Sequence, residues 1–368
     1  MTGTTTTRAA RPDGTERPFP DGAGLPFPDE ELWEAVLGGD QARATALAAA
    51  ALDAGLPPET LLLDVIGALQ ARIGRAWAAD RISVVQEHAA TAVNERVVAA
   101  VAAHPASAAA GQRRRGRITV ACVDGEWHAF PARLLAEVLA LRGWQVDYLG
   151  AQCPTPHLIA HLHRTAPDAL ALSASLATRL PAAHTALTAA QAAGVPVMVG
   201  GAAFGPDGRH ARLLGADAWA RDAREAAELL ARGIPEPAGP HLPVDDLPHL
   251  ADQEYTLVSR SSRELVGTVM TALEREFAPV RAYTELQREH TLDDLGHILD
   301  HLAVALYTGD ADLFTAFTDW TREVLLARSV PDTFLVFALT ALRHQLRDLP
   351  RSVAVLTAAA ARPAGAPA

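Results

Sequence analysis

The 368-residue sequence predicts an α/β plus all-α protein, with a four-helix unit, a doubly wound parallel sheet and a helical carboxy-terminal unit. Apolar residues recur at helical spacing across 29–104 and again across 251–361, which indicates packed helices. Between 117 and 232, five short β-rich runs alternate with helices, a pattern typical of a parallel sheet covered on both faces. The Pro-rich stretch 233–250 predicts an interdomain linker, and the Thr-, Pro- and Gly-rich stretch 1–28 predicts a disordered tail.

The first helical unit should contain four helices. The third follows a Pro-Pro pair, and the fourth begins at Ser83, which is followed by Gln86 at the spacing of a capping box. Short connections between the helices favour antiparallel neighbours and therefore a small bundle. Residues 105–116, rich in Ala, Ser, Gly and Arg, are interpreted as a linker to the sheet.

The five predicted strands are RITVACV, QVDYLG, DALALSAS, VPVMVGG and ADAWA. A functional loop after the first strand fits the flavodoxin-like order, in which ligands bind beyond the carboxyl ends of the strands. That loop contains Glu126, Trp127 and His128. An imidazole there can bind a metal through one ring nitrogen, while a carboxylate two residues earlier accepts the proton of the other. On these residues alone, a loop histidine without a ligand remains an alternative.

Composition and charge argue against several kinds of partner. The formal net charge of −11 disfavours direct nucleic-acid binding, because phosphate recognition needs a basic face. The sequence has no uninterrupted run of about 18 apolar residues, the length that a membrane span needs. Residues 1–28 lack the apolar core of a signal peptide and are too short and polar for a helix-turn-helix. Two cysteines, Cys122 and Cys153, form no disulfide framework, so we expect a cytoplasmic protein.

Three elements, in the right order, resemble the cobalamin-binding domain family over about 117–232. That family carries D-x-H-x-x-G after strand one, S-x-L or S-x-T at strand three and Gly-Gly at strand four. Here the segments read E-W-H-A-F-P, S-A-S and G-G. The resemblance implies that His128 is the lower cobalt ligand and that Glu126 orients it. The other residues that we assign to the cofactor and its nucleotide tail are Trp127, Tyr148, Leu149, Gly150, Ser173, Ser175, Gly200 and Gly201.

Two positions depart from the family motif. Glu126 replaces an aspartate, which lengthens the arm that orients the histidine, and Pro131 replaces the glycine, so we expect a different loop geometry.

The four-helix unit resembles the cap of two cobalamin families, the corrinoid methyl carriers and the CarH-type adenosylcobalamin photoreceptors. The photoreceptors carry Trp, nine intervening residues and then Glu-His, and Trp77, Glu87 and His88 stand at that spacing. The resemblance implies an adenosyl pocket, in which the ring packs on the ligand and the polar atoms bind the sugar. The alternative is an ordinary core tryptophan and two surface polar residues. Ala78 stands where the photoreceptors carry a histidine, so that position cannot supply an upper ligand after photolysis.

The carboxy-terminal unit resembles that of the photocobilins, through domain order and the helical pattern of EHTLDDLGHILDHLAVALYTGDADLFTAFTDWTREVLLARSVP. In that family a degenerate globin-like, phycobilin-binding domain holds biliverdin. Residues suited to pyrrole N–H groups, propionates or ring stacking are His290, Asp294, His297, His301, Trp320, Arg322 and Arg328. A charged, solvated helix face is the alternative. Since no cysteine follows Cys153, a thioether link to this unit is excluded.

Together these resemblances predict a light sensor, and not an enzyme, that binds adenosylcobalamin and biliverdin and reports through a homodimer. One alternative is a corrinoid methyl carrier that works with partner methyltransferases. A second alternative is a carboxy-terminal domain that holds haem through His297 or His301. The sequence identifies no downstream effector.

Overall fold

The computed structural model describes residues 27–110, 115–235, 237, 247–330 and 332–362. The predicted tail, apart from its last two residues, and most of the Pro-rich linker lie outside these ranges. Among the helices in the described ranges, none is long and apolar enough to cross a membrane.

Within the described residues, five parallel strands form one sheet. Their bounds are β1 Arg117–Cys122, β2 Gln145–Gly150, β3 Ala169–Ser173, β4 Val197–Gly200 and β5 Ala218–Ala220. The strand order is β2-β1-β3-β4-β5, so the predicted flavodoxin-like order is confirmed. Because the chain order reverses between β1 and β3, a crevice opens at the carboxyl ends of these two strands.

Helices cover both faces of the sheet, as the alternating pattern predicts. Their bounds are α7 Phe130–Leu141, α8 Thr155–Thr165, α9 Leu180–Ala192, α10 Arg209–Leu213 and α11 Ala223–Arg232. Apolar residues of α7 and α11 pack on one face, beside Ile118 and Val120 of β1. Those of α8 and α9 pack on the other face, beside Ala121. Short 3₁₀ turns at Ala177–Arg179 and Ala202–Phe204 follow β3 and β4.

The amino-terminal bundle contains the four predicted helices. Its elements are α1 Asp29–Leu37, α2 Gln41–Asp53, α3 Pro58–Thr60, the π-helical Leu61–Gly67, α4 Ala68–Ala78 and α5 Val84–Ala103. The segments from α3 to α4 form one continuous helix with a π-helical stretch inside it. The capping box of Ser83 and Gln86 is present at the start of α5, which confirms that helix start.

A short helix, α6 (Pro105–Ala110), occupies the first half of the predicted linker. Alanine has the strongest intrinsic helix propensity, and a proline at the first helical position loses no hydrogen bond. The Ala-rich composition that we interpreted as a linker is therefore also compatible with one more helical turn or two.

The carboxy-terminal domain is helical, as predicted for 251–361. Its elements are a 3₁₀ turn Pro248–Asp252, α12 Glu254–Glu276, a 3₁₀ turn Ala278–Ala282, α13 Glu285–Thr308, α14 Ala311–Ala327, α15 Thr333–Gln345 and α16 Pro350–Ala361. Buried Glu254 accepts hydrogen bonds from the backbone N–H groups of Arg351 and Ser352, and so stabilises the start of α16. The likeness of this domain to globins or phycobiliproteins stays a prediction.

The carboxy-terminal domain packs against the sheet domain through buried polar contacts. Nε2 of His210 lies 2.9 Å from Oδ2 of Asp310, and its Nδ1 lies 3.0 Å from the carbonyl oxygen of Ala203. Nδ1 of His184 lies 2.8 Å from the hydroxyl of Tyr307 on α13. Directional contacts of this kind, made in a water-poor interface, specify one docking arrangement.

Candidate functional site

Glu126 anchors the loop between β1 and α7, and its side chain is fully buried. Oε1 accepts hydrogen bonds from the backbone N–H of His128 at 2.8 Å and from its Nδ1 at 2.7 Å. Oε2 accepts hydrogen bonds from the backbone N–H groups of Ser175 at 2.7 Å and Leu176 at 3.0 Å. One carboxylate therefore ties together the loops that follow β1 and β3.

This hydrogen bonding fixes the protonation of the pair. Burial raises the pKa of Glu126, but the hydrogen bonds from His128, Leu176 and Ser175 outweigh it and lower the pKa to about 2. The ionised carboxylate can only accept, so Nδ1 of His128 carries the proton. The same hydrogen bond raises the pKa of His128, against the opposing effect of burial.

The other ring nitrogen of His128 is available to a ligand. Within the described chain Nε2 has no hydrogen-bond partner, and the side chain is 56 % exposed. Because Nδ1 carries the proton, neutral His128 presents the lone pair of Nε2 to the crevice. This is the arrangement that a metal-binding histidine and its orienting carboxylate adopt.

A cavity of about 120 Å³ lies below the carboxyl ends of β3, β4 and β5, between the sheet and helices α7 and α11. Its mostly apolar lining includes Ser173, Gly200 and Gly201, three of the predicted nucleotide-tail residues. Pro131 also lines it, from the second position of α7, where a proline is tolerated. The backbone N–H of Ser175 holds Glu126, and the contact of its side chain with the nucleotide tail stays a prediction.

The amino-terminal bundle carries the second set of predicted cofactor residues. Trp77 lies in the last turn of α4, and Glu87 and His88 lie in the first turns of α5. Oε2 of Glu87 is 2.7 Å from Nδ1 of His88, and the His88 side chain is 75 % exposed. The charge of Glu87 raises the pKa of His128, so the two side chains lie near enough to interact electrostatically.

Comparison with protein families gives a match for both the sheet domain and the amino-terminal bundle. Residues 116–231 match the family described as B12 binding domain, and residues 29–102 match a second family with the same description. The chain carries the two domains of a cobalamin-binding protein. Comparison with curated protein sequences gives no match.

Solved structures of corrinoid proteins resemble parts of this cobalamin-binding chain. The monomethylamine corrinoid protein of Methanosarcina barkeri is 20 % identical, with a TM-score of 0.47 over 55 % of this chain and 95 % of that one. The methanol:cobalamin methyltransferase complex of the same organism is 17 % identical, with a TM-score of 0.29 over 55 % and 78 % of the two chains. A cobalamin-binding protein of Desulfitobacterium hafniense DCB-2 is 17 % identical, with a TM-score of 0.30 over 55 % and 97 %.

The geometry of the cleft fits a cobalamin. His128 offers a single imidazole nitrogen, which suits a metal whose equatorial positions a macrocycle already fills. The apolar cavity beside Ser173 and the glycines would hold the nucleotide tail. Cys122 does not compete as a ligand, because burial and the charge of Glu126 raise the pKa of its thiol to about 12.

Gly201 is required by the backbone as well as by the cavity. Its φ is +101°, and a Cβ there would lie 2.3 Å from the carbonyl oxygen of Ala174. We expect Gly201→Ala to lower the free energy of unfolding by at least about 2 kcal/mol, because positive φ and a backbone clash add. Gly194→Ala is the matched control, since Gly194 has φ +77° but no atom within 4 Å of its added Cβ. Denaturant unfolding of both variants tests this, and equal losses would contradict the clash.

The other predicted residues of the sheet domain lie in the His128 loop or at the end of β2. Trp127 is 74 % exposed beside the cleft. The hydroxyl of Tyr148 donates to the carbonyl oxygen of Ala129 at 3.3 Å, so the end of β2 supports this loop. Leu149 packs with the apolar cluster on the α8 and α9 face, and Gly150 ends β2 with a φ of +77°.

Six of the seven predicted bilin residues fall into two groups. His290, Asp294 and His297 are exposed on α13, and His301 on the same helix stacks on Phe317 with ring centroids 3.6 Å apart. Trp320 and Arg328 extend this region toward the bundle, where they contact Trp77. Arg322 lies apart from both groups.

Arg322 is buried at 2 % exposure. Its guanidinium lies 3.0 Å from Asp319 and donates to the carbonyl oxygen of Ala359 at 2.8 Å. These contacts hold it between α14 and α16, so the structure does not bring Arg322 to the exposed face that carries the predicted histidines.

Two features near Glu87 and His128 were not predicted from the sequence. A chain of hydrogen bonds supports Glu87, from Asn94 through Gln70 to Thr91, at 2.7, 2.6 and 2.9 Å. Arg179 lies against Gly125, where an added Cβ would be 2.8 Å from its NH1, and its charge lowers the pKa of His128. Thr91 could have been found, because it stands four residues after Glu87 on the same helix face.

Proposed function

We propose that this cobalamin-binding protein is a light sensor that holds adenosylcobalamin in the cleft and biliverdin, non-covalently, in its carboxy-terminal domain. The observation that carries the proposal is the imidazole of His128, which Glu126 orients and whose Nε2 has no hydrogen-bond partner among the described residues, in a chain that also carries Trp77, Glu87 and His88 at the photoreceptor spacing. We further propose a non-enzymatic, cytoplasmic protein that responds as a homodimer.

The residues would divide the work between two walls. His128, oriented by Glu126, would bind cobalt from below. Trp77, Glu87 and His88 would enclose the adenosyl group from above, with the ring packing and the polar pair hydrogen-bonding the sugar. When bound, adenosylcobalamin supplies a cobalt–carbon bond that light cleaves. Loss of the adenosyl group would remove contacts to the bundle and shift its packing equilibrium.

Support for a second chromophore comes from the position of the α13 face, the side of this helix that carries His290, Asp294, His297 and His301. The stacked pair of His301 and Phe317 continues to Trp320, with ring centroids 6.4 Å apart, and Trp320 lies 6.3 Å from Trp77. A tetrapyrrole on this face would therefore lie close to the upper wall of the cobalamin cleft. Absence of a cysteine after Cys153 makes non-covalent binding the chemistry available to this domain.

The test is reconstitution of the full chain with adenosylcobalamin and biliverdin in the dark, followed by illumination. Because the cobalt–carbon bond is photolabile in itself, the decisive readout is the protein's response, measured as oligomeric state and hydrodynamic radius before and after light. A change that requires bound adenosylcobalamin supports the sensor. A chain that shows no such change, and that passes methyl groups to a methyltransferase, would instead be a corrinoid methyl carrier.

An absorption spectrum separates the two tetrapyrroles. A bilin gives a far-red band, whereas haem gives an intense Soret band. Burial lowers the pKa of His301 to about 4, so its imidazole is neutral near neutral pH and could also serve as a haem ligand. A Soret band after exposure to haem, with no biliverdin uptake, would favour the haem alternative.

Replacement of Trp77 tests the upper wall. We expect Trp77→Ala to reduce the preference for adenosylcobalamin over methylcobalamin by about tenfold, because a lost stacking contact is worth about 1 kcal/mol or more. Absorbance titrations with both cofactors measure this ratio. Equal losses of affinity for the two cofactors, or no loss for either, would remove Trp77 from the adenosyl site.

A further inference from the structure

We infer that Arg328 and Trp320 are positioning residues for Trp77, so that the carboxy-terminal domain completes the upper wall of the cobalamin cleft. This inference rests on the proposed function, because it assumes that Trp77 contacts the adenosyl group. Both residues belong to α14 or its C-cap, whereas Trp77 belongs to the amino-terminal bundle.

Arg328 contacts the backbone of the bundle at the end of α4. The last carbonyls of a helix have no partner within the helix, and a cation there also interacts favourably with the helix dipole. Arg328 reaches across the domain boundary to this end. Its Nη2 donates to the carbonyl oxygen of Trp77 at 3.3 Å and its Nη1 donates to that of Ala78 at 3.5 Å. The guanidinium thus lies at the turn from which the Trp77 side chain projects.

The ring contacts act on the Trp77 side chain itself. The guanidinium carbon of Arg328 lies 5.3 Å from the Trp77 ring centroid, within the range of a cation–π interaction. The Trp320 ring lies 6.3 Å from the Trp77 ring at an angle of 34°. Two side chains of another domain therefore restrict the orientation of one indole.

Arg328 is itself held in place. Its Nη1 also donates to the carbonyl oxygen of Val324 at 3.2 Å, and its Nε lies 3.8 Å from a carboxylate oxygen of Asp80. Its side chain is 29 % exposed, so the interaction is partly shielded from water. A guanidinium that is fixed on its own helix and reaches the bundle is suited to couple the two domains.

Position of Trp77 should then affect which cobalamin the cleft prefers. A methyl upper ligand does not reach an adenosine pocket. A displaced indole should therefore lower the affinity for adenosylcobalamin and leave the affinity for methylcobalamin unchanged. The contacts from Trp320 through Phe317 to His301 would carry changes in the carboxy-terminal domain to the same indole.

The test compares dissociation constants of adenosylcobalamin and methylcobalamin for Arg328→Ala, Arg328→Lys and Trp320→Ala in the full chain. We expect Arg328→Ala to reduce the adenosyl preference about three- to tenfold, the range of a partly shielded cation–π contact and its hydrogen bonds. Arg328→Lys should restore part of the preference, because it keeps the charge but not the planar fork. The spectrum that reports ligation by His128 should not change.

Arg72→Ala is the matched control. The guanidinium carbon of Arg72 lies 4.0 Å from the ring centroid of Trp33 within the bundle. Arg72→Ala therefore removes the same kind of cation–π contact, but away from the end of α4. The preference should stay at the wild-type value. An equal change in the Arg72 and Arg328 variants would overturn the inference, since both would then act through bundle stability.

The outcomes also separate this inference from the proposed function. If Trp77→Ala lowers the adenosyl preference while the Arg328 and Trp320 variants do not, the positioning role is wrong and the cap stands. If Trp77→Ala has no effect, the adenosyl site itself is wrong. Should an alanine variant fail to fold, as judged by thermal unfolding, Arg328→Lys and Trp320→Phe provide the same comparison with smaller structural changes.

Discussion

His128→Ala should lower the affinity for cobalamin by at least about 100-fold, because loss of a partner that merely orients a metal ligand already costs about 10- to 100-fold. The variant removes the imidazole whose Nε2 faces the cleft. Any cobalamin that still binds should show a base-on or water-ligated spectrum. Absorbance titration and the spectrum of the bound cofactor measure both effects.

Two further variants give this experiment its controls. His344 is exposed on α15, so His344→Ala should bind like the wild type. In Glu126→Gln, the amide nitrogen would face backbone N–H donors or the imidazole proton, and neither can accept its hydrogens. We expect an affinity loss of about 10- to 100-fold for Glu126→Gln. Wild-type affinity and spectrum in His128→Ala would show that another group binds the cobalt.

The sheet and the histidine loop were predictable because their signals are local. Alternating strands and helices predict a parallel sheet, and a functional loop after the first strand fits the flavodoxin-like order. Glu126 and His128 are two residues apart, so their chemistry could be recognised without a fold. The third and fourth donors to Glu126 could not, because they are backbone N–H groups of Ser175 and Leu176 and leave no trace in residue type.

The two arginines of α14 show where sequence reasoning loses its precision. Arg322 and Arg328 both suit a propionate on chemical grounds. Six residues of helix rotate a side chain to a position about 120° around the axis, so the two cannot share one face. Arg322 consequently pairs with Asp319 in the interior, while Arg328 reaches the bundle. Which of the two arginines points inward depends on how α16 packs against α14. The sequence of α14 alone does not show this packing.

The departure at Pro131 proved compatible with the fold for a physical reason. The family glycine stands where this chain begins α7, and Pro131 occupies the second position of that helix. The N–H that proline lacks would have no partner within the helix there. The loop before it still brings His128 and Glu126 within 2.7 Å of each other.

Red light should photolyse bound adenosylcobalamin only when biliverdin is also present. The α13 face reaches Trp77 through Phe317 and Trp320, with neighbouring ring centroids 6.4 and 6.3 Å apart, so a bilin there would lie close to the upper wall of the cobalamin cleft. Because a bilin absorbs at longer wavelength than cobalamin, its excitation would extend the response to red light. The measurement is the loss of the adenosylcobalamin spectrum under red light, with and without biliverdin, with blue-green light as the positive control.

Acid denaturation should release all of the bilin from a chain without a cysteine after Cys153. Equal red-light photolysis in both samples, a coloured denatured chain, or no bilin uptake would each contradict the prediction, and the last would leave a cobalamin-binding protein with a helical domain of another purpose.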